Sequence, residues 1–162
     1  MYLNIQIFDL GIMKEDDIHI RLVSKEGEVF IVKYCVVCFS KTLKSVVIQF
    51  KKGHLEDLKI HLNNIETKIL AKVIEYCKSK FIFSLLREKL NNDNFDRIKR
   101  QYFEWLKEFL KINKYMIVQL ILAAAYLEIE CLLVILIQTI TEILSSKNRI
   151  ELEKYLRIKQ SA

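Results

Sequence analysis

The chain of 162 residues contains no proline and only three glycines. Tight β-hairpins need positions that accept positive φ, so this scarcity argues against a many-stranded barrel or sandwich. Without proline, long helices run uninterrupted. No block of five or six basic residues occurs, although the formal charge is +6; Lys and Arg are interspersed with Glu and Asp. That scatter, with no stripe, motif or stacked aromatics beside it, argues against direct nucleic-acid binding. The densest basic cluster is Arg97, Lys99 and Arg100. The opening MYLNIQIFDL has no basic segment and is broken by Asp9, so it does not read as a secretory leader. Cys35, Cys38, Cys77 and Cys131 are therefore expected as free thiols in a reducing, intracellular setting.

A long uncharged apolar run is also missing. Residues 116–144 are overwhelmingly apolar, but Glu128 and Glu130 divide them. The remaining runs fall short of the roughly 20 residues of a membrane span. Each central carboxylate would cost about 2.5 kcal/mol in a bilayer. Two helices buried in protein and joined at Glu128–Glu130 are the cheaper reading, and no membrane partner is expected.

What is present suits one compact domain: 52% hydrophobic and 28% charged residues, enough to bury a core. After the charged run Lys14–Asp17, the segment IHIRLVSKEGEVFIV alternates on both sides of Lys25-Glu26-Gly27, which predicts a β-hairpin with Gly27 in the turn. Ser40 is the expected N-cap of a helix carrying Leu43, Val46 and Val47. Leu58, Ile60 and Leu62 alternate as a third short strand, and Asn64 or Thr67 opens a helix with Ile69, Leu70, Val73, Ile74 and Cys77 on one face. Residues 84–100 are rich in Asn, Asp, Arg and Lys and read as an insertion or mobile connector. Helices are expected at roughly 102–110, 115–127, 130–145 and 149–156. Strands followed by helices imply an α+β fold, a small sheet on a helical cluster. The segments are then a leader (1–17, disordered or an added edge strand), an N-terminal part (18–83), a variable connector (84–100) and a C-terminal helical part (101–162).

Candidates for chemistry are weak. Cys35-Val-Val-Cys38 has metal or redox spacing, but a zinc site needs about four ligands and no second pair accompanies it. Two small residues on a packed turn is the plainer reading. His19, His54 and His61 are scattered, with no partner nominated for catalysis. Glu130 suits the N-terminal end of a helix dipole, and Glu128 keeps the junction wet. No phosphate loop, nucleophile elbow or metal constellation is present, so neither an enzyme, a cofactor nor a small-molecule substrate is expected.

Four runs in register carry a specific likeness. The run Trp105–Leu144, WLKEFLKINKYMIVQLILAAAYLEIECLLVILIQTITEIL, closely resembles the Skp-one (S-phase kinase-associated protein one) family, with its Glu-Phe-Leu-Lys, its Leu-Ile-Leu-Ala-Ala-x-Tyr-Leu helix and its Leu-Leu helix. Ile69–Lys80 resembles the family's helix ending in aromatic-Cys, and IRLVSKEGEVFIV its opening hairpin. Order and spacing hold over about 18–158.

The resemblance implies a BTB/POZ-like fold with additional C-terminal helices, working as an adaptor of SCF-type cullin-RING ubiquitin ligases in the cytoplasm and nucleus. A cullin would lie on one face and F-box proteins on the other, with no chemistry done by the adaptor itself. The implied cullin contacts are Tyr126 and its neighbour Ala125, where the family has Asn; losing the amide implies weaker cullin binding. The implied F-box face comprises Leu133, Ile140, Ile143, Ile150, Leu152, Leu156 and Ile158. The chain departs from the family in its basic charge and basic 84–100 segment. It also stops at RIKQSA, short of the family's final clasping helix, which implies weaker or narrower F-box binding. Two other readings stay open: an elongin-C-like adaptor binding a short helix, and a degenerate homologue acting as a structural or basic-surface binding protein. A large exposed apolar helix face would also make the isolated chain a possible homodimer.

Overall fold

The computed structural model describes residues 18–50, 58–90 and 92–160, with side chains described for 18–50, 58–90 and 94–146. The leader, the segment around Gly53 with His54, and the last two residues lie outside the described residues. Strands β1 (His19–Val23) and β2 (Val29–Lys33) form the expected hairpin, followed by a one-turn helix α1 (Tyr34–Val37) and by α2 (Lys41–Phe50). Strand β3 (Lys59–His61) and helices α3 (Thr67–Lys89), α4 (Asn92–Phe109), α5 (Lys114–Tyr126) and α6 (Glu130–Gln160) complete the chain. The sheet order is β2-β1-β3, with β1 antiparallel to β2 and parallel to β3. Its inner face presents Ile20, Leu22, Val32 and Ile60 to α3 and α5 residues in one core with Leu70, Val73, Ile117 and Leu120. Each such side chain stabilises the fold by about 1.5–3 kcal/mol on burial.

The hairpin does more than carry two strands. Gly27 takes φ +86°, which lets the Gly27 amide bond back to the Ser24 carbonyl at 3.0 Å. That turn aims Glu26 at the start of α3, where its carboxylate accepts from both the Thr67 amide and the Thr67 hydroxyl at 2.7 Å. The buried Ser24 hydroxyl meets the Thr67 hydroxyl at 2.7 Å. Neither Asn64 nor Thr67 caps α3; its terminal amide is satisfied by a residue of the hairpin instead. A sequence pattern of local caps does not contain that long-range solution.

Two further expectations change. Residues 84–89 continue α3, and 92–100 belong to α4, so the connector is a helical hairpin. Ile98, Tyr102, Leu106 and Phe109 recur at four, four and three residues and are all buried, a helical face masked by its polar remainder. Aromatic contacts tie the two helices: Phe83 stacks on Tyr102 at 4.4 Å between centroids, and Tyr76 lies 6.0 Å from Phe109. The separate helices expected at 130–145 and 149–156 are one helix, α6, because no glycine or proline follows Gly53 to break it.

The cysteines are free: Cys77 is buried, which pushes its thiol up to about 12, while Cys35 in α1 and Cys38 at its C-terminal end are half-buried and Cys131 is exposed. Among the described residues no cluster of His, Cys, Asp and Glu could hold a metal ion. No single described helix is long and apolar enough to cross a membrane; α4 and α5 taken together bend by 116°. The expected junction at Glu128–Glu130 is where α5 gives way to α6.

The two Thr67 bonds hold the Glu26 carboxyl below its ordinary value near 4.5. A folded value below the unfolded one contributes stability above the carboxylate range, lost as pH falls through the folded value. Denaturant titrations of the wild type and Glu26→Gln should therefore differ by a constant amount near neutral pH. The gap should close as the pH drops below about 4. A gap that persists at low pH would show that the charge on Glu26 is irrelevant.

Candidate docking surfaces

The end of α5 is built as a Schellman closure. The Ile129 amide bonds to the Ala124 carbonyl at 2.9 Å, and the Glu128 amide to the Ala125 carbonyl at 3.2 Å. The motif requires a left-handed residue between them. Glu128 takes that role at φ +51°, among the described residues the one non-glycine with positive φ. Ile129 is buried behind it, next in chain to Glu130 at the first turn of α6. A carboxylate there is stabilised by the helix dipole.

Helix α2 is fastened to this junction by three consecutive residues. The buried Ser40 hydroxyl accepts from the Leu43 amide at 3.0 Å, the expected N-cap, and donates to the Leu127 carbonyl. The Thr42 hydroxyl lies 2.9 Å from a Glu128 carboxylate oxygen and 3.2 Å from the Tyr126 carbonyl. Lys41 and Glu130 form an ion pair at the surface, which raises the pKa of Lys41. An exposed pair of this kind contributes little to stability but fixes orientation.

These contacts present a particular surface. Ile117, Leu120, Ala123, Ala124 and Leu127 turn α5's inner face to the core. The opposite face exposes Tyr115, Val118, Leu122 and Tyr126 at spacings of three, four and four residues, with Ala125 exposed beside Tyr126. Half of Tyr126 (50%) remains accessible, so it belongs to the surface rather than the core. On α2, Val46 and Phe50 follow Thr42 at four-residue steps and are exposed too. Val118, Leu122 and Phe50 escaped the sequence reading, and Val46, expected beside Leu43 and Val47, is exposed while those two are buried; phase relative to the buried residues was the available signal.

Helix α6 carries a second apolar strip. Leu132 and Leu136 are wholly buried, and Leu133, Ile140 and Ile143 are half-buried against the core. The residues that stand out from it are Val134, Ile137 and Leu144, at 55%, 47% and 52% exposure. At 100° per residue Ile137 and Leu144 lie beyond Leu133 and Ile140 on the same flank, and Val134 lies opposite the buried Leu132 and Leu136. Ile150, Leu152, Leu156 and Ile158 lie on the helical backbone of α6 but outside the described side chains.

Residues 19–81 match the model of the Skp1 family, tetramerisation domain. Over 86% of the chain the sequence is 33% identical to SKP1-like protein 11 of Arabidopsis thaliana, covering 83% of that protein. It is likewise 33% identical to SKP1-like protein 1A of the same plant, with 86% and 84% covered. A relative in Dictyostelium discoideum, SCF ubiquitin ligase complex protein SKP1b, is 28% identical over 86% of this chain and 83% of its own length.

The chain belongs to the Skp1 family. Its sheet of three strands with helices packed on it is a POZ-like α+β fold extended by C-terminal helices. Members of this family are adaptors, not enzymes.

Two substitutions test how the junction is held. Ser40→Ala strands the Leu43 amide and the Leu127 carbonyl together, and should cost about 2–3 kcal/mol in urea unfolding. Glu128→Gly relieves a left-handed residue and should raise stability by about 1 kcal/mol. A loss of stability on Glu128→Gly would mean that the Thr42–Glu128 bond outweighs the backbone strain.

Proposed function

We propose that the chain is the adaptor of an SCF-type cullin-RING ubiquitin ligase, bridging a cullin and F-box proteins in the cytoplasm and nucleus. The observation that carries this reading is the pair of exposed apolar strips on α5 and α6, on either side of one rigid junction. Family membership and the name of the Dictyostelium relative support it. Tyr126 is the cullin anchor, an aromatic with one apolar side and one wet end, flanked by Ala125, Leu122 and the α2 residues Val46 and Phe50. The α6 strip, from Leu133 and Ile140 out to Val134, Ile137 and Leu144, takes the F-box helices. An adaptor of this kind acts by positioning: it raises the effective concentration of a substrate held by the F-box protein near the ubiquitin donor. Without partners, the same strips bring two copies of the chain together.

Binding of the purified chain to a cullin N-terminal domain and to an F-box protein, measured separately, tests this. Tyr126→Ala should weaken the cullin complex by about tenfold or more and leave F-box binding unchanged, whereas Ile137→Asp should do the reverse. Ala125→Asn supplies an amide donor and acceptor, and should tighten cullin binding. Capture of an F-box-free partner helix with a cullin would favour the elongin-C-like use of the fold. Failure to bind either protein would end the ligase reading and leave a structural homologue.

A further inference from the structure

The α3–α4 hairpin and α6 enclose an open cleft of about 560 Å³. It is separate from both apolar strips. With the core-facing Leu132 and Leu136 as reference, Ile137 and Leu144 turn to one flank of α6, and the cleft residues Gln138 and Glu142 turn to the other. Its lining pairs two chemistries. Lys80 and Arg87 on α3 and Lys99 on α4 supply three cations; Phe83, Phe95 and Phe103 supply exposed or half-buried rings. The floor is apolar, with Leu106, Leu110 and Ile135. Glu142 is the one carboxylate among the lining residues.

The spacing places these side chains on one face of each helix. Lys80, Phe83 and Arg87 follow one another at three and four residues, and Phe95, Lys99 and Phe103 at four and four, so each helix turns a mixed cationic and aromatic strip inward. Lys80 sits over the stacked Phe83 and Tyr102 rings, 5.8 and 5.7 Å from their centroids. None of the three cations has an ion-pair partner among the described residues. Three lysines outside the cleft pair within one helical turn, at Lys72–Glu75, Lys107–Glu104 and Lys111–Glu108. Three cations with no ion-pair partner among the described residues, around a ring-lined trough, favour a ligand that brings carboxylates and a flat or branched apolar group together.

We infer that this cleft docks an acidic peptide segment of a partner protein, its aromatic or aliphatic side chain on the Phe83–Phe95–Phe103 rings and its carboxylates on Lys80, Arg87 and Lys99. A peptide fits better than a small ligand because the site is an open trough running along two helices, with its cations spread over two turns of α3 and a neighbouring turn of α4. Such a segment gains from on-rate steering as well as contact, since the whole chain carries a net charge of +6. The inference does not depend on cullin or F-box binding.

The test uses the full chain and a fluorescein-labelled peptide of eight residues, one central Phe flanked by Asp and Glu, read by anisotropy. Saturable binding is expected, weakening several-fold between low and physiological salt. Arg87→Glu combined with Lys99→Glu should weaken it by tenfold or more, and Phe103→Ala by at least threefold with an unchanged melting temperature. If the double variant fails to fold, Phe103→Ala alone carries the comparison, because that ring is already 48% exposed. Four results would overturn the inference: no saturable binding, equal binding of a peptide with Lys in place of Asp and Glu, indifference to these variants, or displacement by adenosine triphosphate at concentrations below the peptide's own Kd. The last would make the cleft a nucleotide site.

Discussion

The Ser40 hydroxyl joins two parts of the chain that are 87 residues apart, accepting from the first turn of α2 while donating to the carbonyl that ends α5. Both bonded groups are buried, so each has no water to fall back on. Their satisfaction sets where α2 begins and where α5 must stop. From that point Thr42 and Lys41 follow in sequence and reach Tyr126, Glu128 and Glu130 in turn. The proposed cullin anchor and the start of α6 are thus held by one hydroxyl and its two neighbours. An adaptor that works by geometry needs that stiffness at the place where one proposed docking strip passes into the other.

Scarcity of glycine shapes the same region. A Schellman closure ordinarily takes glycine at its left-handed position, and none is available after Gly53. Glu128 accepts the backbone strain, about 1 kcal/mol for a residue with a Cβ, and its carboxylate recovers part of it through Thr42. The absence of breakers also explains the length of α3 at 23 residues and of α6 at 31.

Much of this was legible in the sequence because the signals were local. The alternation around Gly27 specified the hairpin, Ser40 the α2 cap, and Glu128–Glu130 the α5–α6 junction. Where the deciding contact was remote, the pattern was silent: the partner of Thr67 is Glu26, 41 residues earlier. The α3–α4 hairpin was hidden for a different reason. Its polar residues dominate its composition, so a reading by composition gave a connector, while Ile98, Tyr102, Leu106 and Phe109 kept a helical period within it. Likewise the exposed members of the α5 and α6 strips could be told from the core only by phase, once Leu120 and Leu136 showed which side faced inward.

That hidden hairpin changes what the chain's positive charge means. Read as composition, +6 spread among carboxylates argued only against direct nucleic-acid binding. In the fold, Lys72 is placed 5.0 Å from the Phe109 ring and close to Glu75, so part of the charge is structural. Lys80, Arg87 and Lys99 differ, because the turn between α3 and α4 folds their strips toward one another. Like charges brought together with no ion-pair partner among the described residues repel, and a surface that keeps them beside apolar rings forgoes some stability. In its basic 84–100 segment, carried by α3 and α4, the chain departs from what the family resemblance implied. A cationic, ring-lined trough there gives the departure a physical use that a solvated connector would not have.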